Sequence, residues 1–153
     1  MSKVREALKA LKNGKMIIVS DDESRENEGD LVMLASKATQ EGMTFMIREA
    51  GGLICVPADE QRLRDLGIPA MCGDNRDPHG TAFTLSVDHR DSGTGISAAA
   101  RALTARALAD PETKPADLRS PGHMFPLSAR EGGLSARRGH TEAAVELARL
   151  AGE

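Results

Sequence analysis

Arg25-Glu26-Asn27-Glu28-Gly29-Asp30 sets three carboxylates at alternate positions beside a cation. In an extended backbone successive side chains alternate faces, so Glu26, Glu28 and Asp30 are expected to point the same way. Three like charges on one face repel unless something positive lies among them. A divalent metal would supply it, and a polyhydroxylated substrate would relieve the charge by donating hydrogen bonds. A solvated acidic turn uses the same residues with no ligand at all. His123 lies in Pro121-Gly122-His123-Met124-Phe125-Pro126-Leu127, where two prolines restrict the backbone. An imidazole held in place serves as acid or base near neutral pH, the alternative being a histidine bonded within a structural loop. His140 follows Arg137-Arg138-Gly139 and precedes Thr141, just where an apolar helical pattern begins. Backbone N–H groups, the helix dipole, two guanidiniums and a hydroxyl could converge there on one anion such as a phosphate. The same histidine could ligate a metal together with a carboxylate from elsewhere, while an Arg-Arg pair on a surface loop can equally be solvated charge. Asp77-Pro78-His79-Gly80-Thr81 carries a further imidazole, which a turn-stabilising role would also explain.

Regular elements must position these groups. Val4, Ala7, Leu8 and Leu11 recur at helical spacing and Asn13-Gly14 stops that helix before an apolar strand at 15–20. Residues 31–35 read as a second short strand, and Thr39 caps a helix running to about Glu49, ended by Gly51-Gly52. Residues 53–57 form a third strand, followed by a polar helix near 59–66. Ala70 to Gly80 has the composition of a long loop, and Thr81 to Asp88 alternates as a half-buried fourth strand. Ser97 caps an alanine-rich helix to about Ala109. Residues 111–139 show little periodicity, and Thr141 opens a last helix that Gly152 stops.

The 153 residues suit one domain without internal repeats. Twenty Lys and Arg against 23 Asp and Glu leave a net charge of -3, and there is no Trp or Tyr. That balance provides neither the basic field nor the stacking platforms that nucleic-acid binding uses, and no field attracting an anionic membrane. Two cysteines make no disulfide framework, and no apolar run is long enough to span a bilayer or resembles a signal core, so a cytoplasmic protein is expected. Walker A, strand-linked GxGxxG, HExxH and CxxC patterns are absent, and a site of carboxylates with one histidine favours magnesium or manganese over zinc.

Taken in order, RENEGD at 25–30, GLICVP at 52–57, DPHGTAFT at 77–84, TGIS at 94–97, SPGHMFPL at 120–127, REGG at 130–133 and RRGHTEAAVELARLAG from Arg137 onward closely resemble the 3,4-dihydroxy-2-butanone 4-phosphate synthases of riboflavin biosynthesis. The resemblance covers nearly the whole chain. It implies an α+β fold, a three-layer α/β/α sandwich with a mixed central sheet, in a single domain over residues 1–153. It further implies a magnesium-dependent homodimer, with active sites near the subunit interface, that turns D-ribulose 5-phosphate into L-3,4-dihydroxy-2-butanone 4-phosphate and formate. Manganese would be a possible substitute for magnesium. Carried over by motif, Glu26 and His140 are the metal ligands. Arg25, Glu26, Asp30, Thr94, Arg137, Arg138, Gly139, His140 and Thr141 bind substrate. His123 and Glu28 are catalytic, and Cys55 lines the site. Abstraction of the C3 proton would give an enediolate whose charge a metal stabilises, and the first base is left open between the acidic loop and His123. The chain departs from the family pattern in three places: Ala100 stands where an aspartate is expected, Leu134-Ser135 where an apolar pair is expected, and the family's strands beyond the last helix, with an essential glutamate, lie past residue 153. That last departure makes a catalytically impaired phosphosugar- and metal-binding or dimerisation module of the same fold the alternative to a working enzyme.

Overall fold

A computed structural model describes residues 2–153. Helix α1, Lys3–Lys12, starts where the Ser2 hydroxyl accepts from Arg5 N and ends at Asn13 and the left-handed Gly14. It leads into an antiparallel hairpin of β1, Ile17–Ser20, and β2, Gly29–Val32, in register Ile17 with Val32 and Ser20 with Gly29. The second strand therefore starts two residues earlier than its apolar run, because Gly29 and Asp30 complete the ladder although they bury nothing. Thr39 caps α2, Gln40–Phe45, which widens into a π-helical turn over Met46–Ala50 and stops at left-handed Gly51.

The main sheet has the order β3 (Cys55–Asp59), β5 (Leu118–Ala129), β4 (Val87–His89). The pair β3 and β5 is parallel and β4 is antiparallel to β5, so the sheet is mixed and the class is α+β. Between the strands lie α3, Glu60–Asp65, and α4, Ala98–Ala109, the latter capped by the Ser97 hydroxyl. The last helix, α5, spans His140–Ala151 and ends at left-handed Gly152.

Two further expectations change. The stretch 81–88 is regular strand only from Val87, with Phe83 and Thr84 touching Leu127 and Ala70 through single bridges. More importantly, the region 111–139 contains the central strand of the sheet, which its prolines hide from the sequence pattern. Gly122 N donates to Ser86 Oγ, His123 N donates to Asp88 Oδ1, and Pro126 O accepts from both Thr84 N and Thr84 Oγ1. Side chains thus answer backbone groups that a regular ladder would otherwise pair.

The core is aliphatic, with Val56, Val87 and Met124 of the sheet packed with Met43, Leu63, Leu66, Ile68, Ala102, Ala105 and Leu108. Alanines along α4 let that helix approach closely, and Arg106 Nη1 ties it to Ala38 O at 2.6 Å. Among the described residues no helix is long and apolar enough to cross a membrane.

Candidate active site

Asp21 organises the acidic loop. Its Oδ2 accepts from Arg25 Nη1 at 2.8 Å and Glu26 N at 3.0 Å, and its Oδ1 accepts from Glu28 N at 3.0 Å. Burial pushes its carboxyl up, but the Arg25 bond and the two backbone N–H groups outweigh that and hold it well below the usual carboxylate range. Residues 23–26 form a turn and Asn27 has φ 54°, a left-handed conformation that asparagine tolerates. The expected single extended face of Glu26, Glu28 and Asp30 is therefore not formed. Glu28 stays exposed in the loop and Asp30 sits on β2, while Glu26 turns toward α5.

The Glu26 carboxylate lies among cations and imidazoles. Arg25 Nη1 is 3.0 Å from Oε1, His140 Nδ1 is 3.6 Å from Oε2, and His79 Nδ1 is 3.8 Å from Oε1. Asp30 Oδ2 lies 4.0 Å from His140 Nδ1. The separations from His140 exceed a hydrogen bond, and His140 Nε2 is buried without a partner, so neither ring nitrogen is satisfied by the protein. Ligand atoms of Asp21, Glu26 and His140 fall within 4.8 Å of one another. Oxygen donors with one imidazole suit magnesium or manganese. Since both Asp21 oxygens already accept hydrogen bonds, the free donors in this cluster are Glu26 Oε2 and the His140 ring, with Asp21 as their scaffold.

Behind them runs a buried ion pair. Arg137 Nη1 donates to Glu142 Oε2 at 2.7 Å with side-chain exposures of 11% and 1%, and Glu142 Oε1 accepts from Arg130 N. Arg137 also donates from Nε to His79 O and from Nη2 to Thr81 Oγ1. Its guanidinium is thus engaged with the protein, and Arg138 remains the exposed one. A Cβ at Gly139 would displace the Arg137 guanidinium and the Glu142 carboxylate from their present places. Gly139 also leaves the start of α5 without a side-chain cap, and while the Glu142 N–H faces its own carboxylate, the first N–H groups of the helix have no side-chain partner. Glu28, Asp30, Cys55, His140 and Thr141 line one cavity of about 550 Å³. Burial, with Asp30 nearby, pushes the Cys55 thiol up to about 11, which makes it a poor nucleophile at neutral pH.

His123 belongs to a second group, at the middle of β5. Its Nδ1 lies 2.8 Å from Asp88 Oδ2, and its backbone N donates to Asp88 Oδ1. Asp88 is 2% exposed and the ring 41%. A carboxylate on Nδ1 favours the tautomer with its proton there, leaving Nε2 free to take one. Gly95, next to exposed Thr94, covers the Asp88 carboxylate so closely that a Cβ would overlap it. Among the described residues no hydrogen bond or ion pair joins this pair to the Glu26 cluster, and Glu142, on the helix that carries His140, accepts from Arg130 N past the end of β5. Exposed Met71, Leu85 and Ile96 lie on the neighbouring segments, for Met71 N bonds Phe83 O, Leu85 N bonds Pro69 O, and Ile96 follows Gly95. Sequence reading passed over Asp21, Asp88 and Glu142. Asp88, an acidic residue between Val87 and His89 in a strand, carried a readable signal, since a carboxylate there must be partnered if buried.

The chain is similar to known proteins along its length. The family model for 3,4-dihydroxy-2-butanone 4-phosphate synthase matches residues 5–153. A protein of that name from Oceanobacillus iheyensis is 55% identical over 150 residues, covering 98% of this chain and 72% of the relative. One from Candida albicans is 53% identical, covering 97% and 74%. A riboflavin biosynthesis protein RibBA of Bacillus cereus is 52% identical over 98% of the chain, which spans 38% of that longer protein. Among solved structures, a 3,4-dihydroxy-2-butanone 4-phosphate synthase in complex with two magnesium ions superposes with a TM-score of 0.96 at 50% identity, covering 100% of this chain and 72% of the other. A two-domain synthase from A. baumannii gives 0.94 at 44% identity, covering 99% and 45%.

Proposed function

Because the chain belongs to the 3,4-dihydroxy-2-butanone 4-phosphate synthase family, we propose that it is the lyase of riboflavin biosynthesis that converts D-ribulose 5-phosphate to L-3,4-dihydroxy-2-butanone 4-phosphate and formate. The observation that carries this reading is the Glu26 carboxylate facing an otherwise unsatisfied His140 ring beside an open helix N-terminus.

Glu26 and His140 would hold magnesium, with manganese a suitable substitute. Bound there, the ion supplies charge neutralisation for adjacent sugar oxygens as a proton leaves C3. Arg25 fixes Glu26, and Asp30, which lines a cavity with His140, would accept hydrogen bonds from substrate hydroxyls. Arg138, Thr141 and the N–H groups at the start of α5 take the phosphate. Arg137 and Gly139 serve by building that turn, since the Arg137 guanidinium is already bound to Glu142, His79 and Thr81. Glu28 and His123 carry protons, His123 through Nε2 with Asp88 holding the ring. Residues 1–153 act as a single domain in the cytoplasm. Two copies pair through the exposed apolar side chains around His123, so that His123 and Thr94 of one copy reach the metal cluster of the other.

Formate release from D-ribulose 5-phosphate tests the reading. Magnesium-dependent formate is expected from the unmodified chain and is expected to vanish in Glu26→Ala and His140→Ala. Substrate binding without any formate at high protein concentration would favour a binding module with the family's site.

A further inference from the structure

We propose that His79 is a positioning residue for the metal-binding carboxylate of Glu26; the inference rests on Glu26 being a ligand. The Glu26 oxygens have different neighbours: Oε2 faces His140, while Oε1 lies between Arg25 Nη1 at 3.0 Å and His79 Nδ1 at 3.8 Å. Arg25 holds Oε1 directly, and the imidazole, beyond hydrogen-bond distance, closes the other side of that oxygen, which limits rotation of the carboxylate and keeps Oε2 turned toward His140. Groups that orient a ligand in this way commonly alter metal affinity by 10- to 100-fold.

The His79 loop is built to stay in place. Asp77 Oδ2 accepts from Thr81 N at 2.7 Å, Gly80 N donates to Asp77 O at 2.9 Å, and Asn75 Nδ2 donates to Thr81 O at 2.9 Å. Arg137 then fastens the loop to the site, bonding His79 O at 3.1 Å and Thr81 Oγ1 at 3.2 Å while Glu142 anchors its Nη1. The main chain of His79 and the helix that carries His140 are therefore fixed by one guanidinium. By contrast the imidazole is 43% exposed and fills no core space, so its removal leaves packing intact.

Mn2+ binding, read from the electron paramagnetic resonance of the free ion, separates this role from turnover. His79→Ala is expected to bind Mn2+ about 10-fold more weakly than the unmodified chain at an unchanged unfolding temperature. His79→Gln, which keeps a donor at similar reach, is expected to recover part of the loss, and Glu26→Ala to abolish binding. Unchanged Mn2+ affinity in His79→Ala, with binding lost in Glu26→Ala, would overturn the role of His79 and leave the metal site standing. Unchanged affinity in both variants would overturn both.

Discussion

At the scale of single residues, the candidate site depends on groups whose polar atoms are already engaged within the protein. Asp88 is the clearest case, since one carboxylate holds both the backbone N–H and the ring of His123. Its own place is set by Gly95, whose missing side chain leaves the space the carboxylate fills and whose φ of 85° suits glycine. Gly95→Ala is therefore expected to displace the Asp88 carboxylate and free the His123 ring. Formate turnover should fall about 100-fold, in line with the loss of one positioned proton-transfer group, while Mn2+ affinity at Glu26 stays unchanged. Steady-state kinetics beside the Mn2+ titration checks this, and equal loss of both would show a general collapse instead. Such residues were only partly legible. Glu26 and His140 stood out because a charge pattern and a helix start are local signals. The roles of Asp88 and Gly95 arise from a contact between a strand and a distant turn, which one local pattern does not encode.

Among elements, the start of α5 is a junction. Arg137 and Glu142 join it to the His79 loop and to the end of β5, so one buried pair sets the relative positions of three segments. Removing one partner of such a pair leaves an uncompensated charge inside the protein. Glu142→Gln is expected to lower stability by about 3 kcal/mol, measured as a lower urea midpoint, and a double variant with Arg137→Gln should show strong coupling. Burial pushes the Glu142 carboxyl up, but the bonds from Arg130 N–H and Arg137 outweigh it and hold it below its usual value. A depressed folded pKa means the stabilisation is complete above the unfolded value of about 4.3 and is lost as pH falls through the folded one. The unmodified protein should thus lose stability below about pH 4 more steeply than Glu142→Gln. The helices were readable because Val4, Ala7, Leu8 and Leu11 recur at helical spacing in the first, Thr39 and Ser97 cap the next ones, and Gly14, Gly51 and Gly152 end them. The central strand β5 was not. Pro121, Gly122 and Pro126 break its pattern, and Ser86, Asp88 and Thr84 supply the hydrogen bonds that make the segment extended in spite of them.

For the whole molecule, the question is how two separate groups serve one reaction. The Asp88–His123 pair sits at mid-strand near segments that carry exposed apolar side chains, and Glu142, on the helix that carries His140, accepts from Arg130 N past the strand's end. If a symmetric dimer seats the apolar surface of one copy against the cluster of the other, each His123 reaches its partner's cluster, because a two-fold axis exchanges the same pair of surfaces twice. Mixing distinguishes this from a site within one chain. Glu26→Ala and His123→Ala, each inactive alone, are co-refolded in equal amounts. If sites are shared, a hybrid dimer has one site carrying both substitutions and one carrying neither. Random pairing makes about half the dimers hybrids, so formate release should return to about a quarter of the unmodified level. A site built within one chain gives every active centre one defect whatever its partner, and the mixture would stay inactive.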